Sequence, residues 1–86
     1  MWYVYIIRST IKNDFIYIGS TNDLKRRFTE YNKGHSKATK PYSPFELEAY
    51  IAVKTEKKAR NLEKYFKTGS GKAVLNKRIL AIEALA

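Results

Sequence analysis

The chain has 86 residues, 44% of them hydrophobic, and a net charge of +9 from 17 Lys and Arg against 8 Asp and Glu. This composition is typical of a single small globular domain, residues 1–86, and argues against disorder. The absence of cysteine excludes disulfides and thiolate metal sites, and without a signal-peptide pattern or a long apolar run we expect a cytoplasmic protein with no membrane partner.

The first part of the chain predicts a β-hairpin. Residues 2–8, WYVYIIR, are aromatic and β-branched, and their near-continuous apolarity indicates a strand covered on both faces. Residues 15–19, FIYIG, predict a second strand, and the short link favours antiparallel pairing. In a regular pair centred near residue 11, Tyr5 and Tyr17 lie opposite each other on one face. Ordinary aromatic packing across a sheet would explain the same pair.

A helix is predicted over residues 24–33. Residues 20–23 offer several N-cap side chains in a row, and Gly34 is a natural residue to end the helix. A basic loop with two prolines, residues 34–44, follows. The apolar positions of the helix, spaced i, i+4 and i+7, are Leu24, Phe28 and Tyr31.

The remainder of the chain predicts a third strand and two more helices. Residues 45–53 alternate, so that the odd-numbered apolar residues share one face and Glu46 and Glu48 the other. Thr55 can cap a helix over 56–68 that Gly69 ends, and Ser70 can begin a third helix over 71–84. The order β-β-α-β-α-α predicts an α+β fold with a three-stranded antiparallel sheet flanked by helices. The residues of the third helix expected to point inward are Leu75, Ile79 and Ile82.

Basic residues are concentrated in two segments. Residues 57–78 contain eight Lys or Arg and one acid, Glu63, and residues 25–40 contain six and one acid, Glu30. Such segments are typical of a protein that binds a polyanion, with nucleic acid favoured over acidic lipid. A solvated, solubilising surface is the alternative.

Two charged side chains border predicted apolar stripes and have competing explanations. Arg27 could grip a phosphate with its planar guanidinium, or could cover the edge of the core with its aliphatic stem. Glu63 could bind one hard divalent cation, or could pair with Arg60, Lys64 or Lys67 on its own helix. Gly19 allows the backbone to approach a neighbour or a ligand closely, or simply permits the turn.

Two short signatures resemble those of the GIY-YIG nuclease domain family. The second signature is intact as Tyr17-Ile18-Gly19. The first appears as Tyr3-Val4-Tyr5, where Tyr and Val replace the leading Gly and Ile but the terminal Tyr is kept. Residues 20–27, STNDLKRR, resemble the continuation of the family pattern. The likeness runs from about residue 1 to 80 and is greatest to small stand-alone bacterial members, which share a WYVYI-like start and a KTGSG-like turn.

The resemblance implies a metal-dependent endonuclease that hydrolyses phosphodiester bonds in DNA during repair or recombination. Tyr17 would take a proton from the attacking water, and Tyr5 would hydrogen-bond the water or the phosphate. Arg27, at the family's catalytic arginine, would stabilise the transition state. Glu63, at the family's metal-binding glutamate, would hold one Mg²⁺ or Mn²⁺ ion. We expect these four residues to line one concave surface.

Further residues are expected to contact the nucleic acid. Tyr31 stands where many members have His, although excision-repair nuclease subunits often have Tyr there. Asn76 matches an asparagine found late in some family domains. The full set predicted for nucleic-acid binding is Gly19, Lys25, Arg26, Tyr31, His35, Lys37, Lys67, Lys72 and Asn76.

Two other functions are compatible with the sequence. One is a basic nucleic-acid-binding module without catalytic activity, and the other is a scaffold with a charged surface. Because no separate recognition module is evident, we expect a nuclease of this kind to need a partner chain for substrate selection.

Overall fold

The computed structural model describes residues 1–80, which form a sheet with helices on both faces. The order of elements confirms the predicted α+β fold. None of the helices in residues 1–80 is long and apolar enough to cross a membrane. The elements are strand β1, Trp2–Ser9; strand β2, Ile16–Thr21; helix α1, Leu24–Asn32; a 3₁₀ turn, Lys40–Tyr42; strand β3, Phe45–Val53; helix α2, Glu56–Phe66; helix α3, Gly69–Val74; and a π-helical turn, Leu75–Leu80.

Strand β1 is the centre of the sheet that residues 1–80 form, and both its neighbours are antiparallel to it in the order β2-β1-β3. Its side chains alternate between two cores, which explains the continuous apolarity of its sequence. On the first face, Val4 and Ile6 pack against α2 and the π-helical turn. On the second face, Tyr5 and Ile7 pack against α1 through Tyr31. The prediction that both faces are covered is confirmed.

The register of the β1–β2 hairpin differs from the predicted one. Tyr5 pairs with Gly19 and Ile7 pairs with Tyr17, so the hairpin is centred on residue 12 instead of 11. The connection closes where the Ser9 amide donates to the Phe15 carbonyl at 3.0 Å. The prediction that Tyr5 and Tyr17 lie directly opposite is therefore wrong. They remain on one face as diagonal neighbours, a separation that aromatic side chains can still bridge.

Strand β3 has the predicted bounds but not the predicted single apolar face. A β-bulge interrupts its pairing with β1, because Ile6 pairs with Ala49 whereas Ile7 pairs with Leu47. The extra residue is Glu48, which forms an ion pair with Arg8 at 2.6 Å. A bulge shifts the alternation by one residue. Apolar residues before it, such as Phe45, face the α1 core, while those after it, such as Ile51, face the other core.

The helix ends confirm some predicted signals and correct others. Gly34 has a φ of 75° just after α1, as expected for a residue that ends a helix. Gly69 does not end α2. It is the first residue of α3, whose N-cap is Thr68. The predicted third helix, 71–84, begins earlier and changes to π-type winding at Leu75. Its last part, with Ile82, lies outside the described residues.

Candidate active site

The hairpin brings the Tyr5 ring directly over the backbone of Gly19. A Cβ atom on Gly19 would lie 2.2 Å from the Tyr5 hydroxyl oxygen and 2.5 Å from the ring carbon that bears it. Glycine is therefore required here by a neighbouring side chain. The sequence allowed the backbone at Gly19 to approach either a neighbouring residue or a ligand. In the structure it approaches a neighbouring residue, because the Tyr5 ring lies against it, and Gly19 thereby positions Tyr5.

Tyr5 and Tyr31 share a buried hydrogen bond beneath α1. Their hydroxyl oxygens lie 2.8 Å apart, and only 3% of Tyr5 and 1% of Tyr31 is exposed. Burial raises the pKa of both phenols, which keeps them protonated at neutral pH. The prediction that Tyr31 contacts nucleic acid is wrong for this structure, because the side chain belongs to the core of the second face.

Arg27 lies at the border of that core and is held from two sides. Its guanidinium donates to the Glu30 carboxylate at 3.0 Å and to the Tyr31 hydroxyl at 3.3 Å. Burial acts to lower the pKa of Arg27, but its hydrogen bond to Glu30 and its contacts with the two tyrosines outweigh burial and raise it. The guanidinium also lies over the Tyr31 ring, 4.6 Å from its centroid, so its orientation is fixed, while its predicted contact with a phosphate stays a prediction.

Tyr17 is the half-buried member of the aromatic cluster. Its ring centroid lies 5.5 Å from that of Tyr31, and Lys67 Nζ lies 5.6 Å from its ring centroid. The Tyr17 hydroxyl enters none of the hydrogen bonds found within residues 1–80. A phenol beside a lysine ammonium and free of protein partners is placed to bind water or a phosphate oxygen.

Glu63 projects from α2 and reaches the edge of the sheet. Its Oε1 accepts a hydrogen bond from the Ser20 hydroxyl at 2.6 Å, and its Oε2 accepts one from Lys67 Nζ at 2.8 Å. Burial acts to raise the pKa of Glu63, but these two hydrogen bonds, with the charges of Lys67 and Arg60, lower it overall. The carboxylate is therefore ionised at neutral pH.

The four residues predicted for catalysis are linked by an unbroken series of contacts. Glu63 contacts Lys67, Lys67 faces Tyr17, Tyr17 packs on Tyr31, and Tyr31 bonds both Tyr5 and Arg27. We call this series the tyrosine–lysine relay. It crosses from one face of the sheet to the other because β2 is an edge strand. The expectation that all four side chains line one concave surface is not met, since Tyr5 is buried under Gly19 and Tyr31.

A comparison with known proteins identifies the family of this chain. A family model described as the GIY-YIG catalytic domain matches residues 1–78. The chain belongs to the GIY-YIG family. The matched residues include both strands of the hairpin, α1 and α2, which carry the candidate site residues.

The matching relatives are UPF0213 proteins. One from Vibrio cholerae serotype O1 is 37% identical over 59 residues, which cover 67% of this chain and 56% of the relative. One from Vibrio campbellii is 36% identical over 67 residues, which cover 77% of this chain and 62% of the relative. The chain thus spans less than two-thirds of the length of these relatives. No solved structure matches the chain.

The residues predicted to contact nucleic acid divide into separate groups in this GIY-YIG fold. Lys67 and Lys72 line a recess of about 350 Å³ together with Tyr17, along the outer edge of β2. Lys25 lines a larger recess, about 490 Å³, that contains no predicted catalytic residue. It is formed by the N-terminal end of α1 together with Leu47 and Tyr50 of β3. Lys25 also lines a third recess with Arg26 of α1 and with His35, which follows α1, whereas Lys37 and Asn76 are exposed and line none of these recesses.

Two polar residues of the site were missed by the sequence interpretation. Ser20 was treated only as an N-cap candidate, but the cap of α1 is Asp23, and Ser20 holds Glu63. Glu30 was counted as the only acid of a basic segment, yet it fixes Arg27. The available signal for Glu30 was its i, i+3 spacing from Arg27, which places the two side chains together on a helix.

Alkaline titration provides a check on the buried tyrosine pair. A phenol whose pKa is raised by folding stabilises the protein below its ordinary pKa of about 10, and this stabilisation is lost as the pH rises further. We therefore expect part of the tyrosinate absorbance to appear only with unfolding above pH 10, and Tyr31→Phe to reduce that part. Absorbance at high pH is compared with circular dichroism. Complete tyrosinate formation in protein that is still folded would contradict the burial of Tyr5 and Tyr31.

Proposed function

We propose that this chain is a divalent-metal-dependent endonuclease that cleaves DNA at the tyrosine–lysine relay. The observation that carries the proposal is the series of contacts, through Lys67 and Tyr31, that links Glu63, Tyr17 and Arg27 from three different elements. In this proposal, Tyr17 acts as a phenolate that takes a proton from the attacking water, and its oxygen is open to that water because it has no hydrogen-bond partner within residues 1–80. Arg27 stabilises charge on the phosphate, since its orientation is already fixed by Glu30 and Tyr31.

The donor set around Glu63 fits a hard cation such as Mg²⁺ or Mn²⁺. Residues 1–80 contain no group of three or more His, Cys, Asp or Glu side chains that could enclose an ion. Mg²⁺ is commonly held by one or two carboxylates with water and substrate phosphate as the other ligands, and Glu63 supplies one such carboxylate. An ion bound there would supply Lewis-acid stabilisation of charge on the phosphate.

The buried pair supports this assignment of roles within the proposal. Tyr5 is buried and already bonds Tyr31, so its hydroxyl is less accessible to an attacking water than that of Tyr17. Tyr5 and Tyr31 instead orient Arg27 and support the Tyr17 ring. Lys67 and Lys72 would attract the substrate backbone along β2. The proposed substrate is branched or damaged DNA in repair or recombination, and a partner chain is proposed to select it. The cytoplasmic location of the protein stays a prediction.

Nicking of supercoiled plasmid and of branched DNA with Mg²⁺ or Mn²⁺ tests the proposal. Glu63→Gln and Arg27→Gln should each lower the cleavage rate about 100-fold or more, because each removes stabilisation of the transition state. The matched controls are Glu56→Gln, on the exposed part of α2, and Arg78→Gln, in the π-helical turn. Both controls should cleave at the wild-type rate.

The outcomes distinguish the nuclease from its alternative. Cleavage that survives both site substitutions would come from a contaminant and would refute the assignment. DNA binding that weakens as salt rises, without any cleavage, would instead support the basic binding module.

A further inference from the structure

Glu63 and Lys67 form an ion pair at the point where a cation is proposed to bind. They stand one helical turn apart on α2 with the acid on the N-terminal side, the favourable order for an i, i+4 pair. The Glu63 side chain is only 21% exposed, so its charge is less well hydrated than that of a surface glutamate. A carboxylate in this position interacts strongly with whichever cation contacts it.

Both oxygens of the Glu63 carboxylate are already engaged. The Ser20 hydroxyl occupies Oε1, which fixes the carboxylate plane and turns Oε2 toward Lys67 Nζ. A Mg²⁺ ion binds a carboxylate oxygen at about 2.0–2.1 Å, closer than the 2.8 Å of the ammonium. Two cations on the same oxygen would repel each other strongly at this separation. The ammonium and a divalent ion therefore compete for Oε2.

Lys67 has both the freedom and the space to leave Glu63. Its side chain is 48% exposed and has a flexible four-carbon stem. It also lines the recess beside Tyr17, which opens along the outer edge of β2. Rotation of the stem can move Nζ away from Glu63 without unwinding α2.

We propose that Lys67 is an internal counter-ion of Glu63, which a divalent ion must displace in order to bind. The inference rests on the proposed metal site and adds a residue that controls its loading. With the ammonium in place, Glu63 stays oriented and charge-neutralised in the absence of the ion. The apparent affinity for the ion is lowered by the free energy of the broken ion pair.

Mn²⁺ binding to the full chain, measured by electron paramagnetic resonance without DNA, tests the inference. Lys67→Met keeps most of the stem and removes the ammonium, so it should tighten Mn²⁺ binding about two- to fivefold, the factor that corresponds to a partly exposed ion pair. Lys64→Met removes an equal charge from the exposed residue that directly follows Glu63, and Lys64 forms no ion pair among residues 1–80. It should change the affinity less than Lys67→Met does. The Nζ and Cε nuclear magnetic resonance signals of Lys67 should shift on addition of Mg²⁺ more than those of Lys64.

Three results would overturn the inference in distinguishable ways. If Lys67→Met and Lys64→Met changed the Mn²⁺ affinity equally, the cause would be the loss of a positive charge near Glu63 and not the end of competition for Oε2. Weaker Mn²⁺ binding by the Lys67→Met variant would show that Lys67 helps to hold the ion in place. Undiminished Mn²⁺ binding in Glu63→Gln, or none in the wild type, would overturn the metal site itself, and with it the metal-dependent part of the proposed function.

Discussion

Tyr17→Phe is expected to lower the rate of DNA cleavage by a factor of about 10² to 10⁴, the range typical for loss of a general base. The substitution removes a hydroxyl that has no hydrogen-bond partner within residues 1–80 and keeps the ring that packs on Tyr31. The free energy of unfolding should therefore change by less than about 0.5 kcal/mol. Single-turnover cleavage of labelled branched DNA and urea unfolding measure the two quantities.

Tyr31→Phe is the matched control, because it removes a phenol hydroxyl from the same aromatic cluster. That hydroxyl bonds Tyr5 and Arg27 in the core, so its loss leaves buried polar groups unsatisfied and should cost about 1–3 kcal/mol of stability. Its effect on cleavage should be smaller than that of Tyr17→Phe, since it acts only by positioning other groups. If Tyr17→Phe kept most of the wild-type cleavage rate, or if Tyr31→Phe lowered that rate more than Tyr17→Phe did, the assignment of the general base to Tyr17 would be wrong.

The contrast between these tyrosines shows what the sequence could and could not predict. Periodicity placed Tyr5 and Tyr17 on one face and Arg27 at the border of the core, because alternation in strands and the helical repeat are local properties. The centre of the hairpin was misplaced by one residue, which shifts the pairing partners on β2 by two, because the register depends on where the connection closes, at Ser9 and Phe15. That single step put Gly19 opposite Tyr5 and made the glycine a packing partner.

Strand β3 shows a second limit of sequence patterns. The odd-numbered residues from Phe45 to Val53 are all apolar, with Glu46 and Glu48 between them, and this pattern predicted a single apolar face. The bulge at Glu48 inverted that alternation midway, and its ion pair with Arg8 depends on a residue 40 positions earlier in the chain. Long-range partners of this kind are not encoded in local periodicity. For the same reason, Ser20 could not be identified as the partner of Glu63, 43 residues further on.

Gly71→Ala is expected to destabilise the fold by about 3 kcal/mol or more, the upper range for overpacking a core. A Cβ atom at this position would lie 1.7 Å from the Tyr65 carbonyl oxygen and 2.8 Å from the Phe66 Cα. Both are backbone atoms of α2, so no side-chain rotation can relieve the overlap, and α3 would have to move away. Such a movement would also disturb Leu75, which is fully buried against the sheet.

Gly69→Ala offers a direct comparison two residues earlier. No atom lies within 4 Å of a Cβ built there, and the residue is the first of α3. Alanine in place of glycine at a compatible site should stabilise the protein by about 0.4–1 kcal/mol. Thermal unfolding should therefore separate the unfolding midpoints of the two variants by more than about 12 °C, since each kcal/mol shifts the midpoint of a domain of this size by about 4–8 °C.

Because Gly71 holds α3 against the end of α2 that carries Glu63 and Lys67, the Gly71→Ala variant should also lose cleavage activity. Equal stability of the two alanine variants would contradict the close packing of α3 on α2.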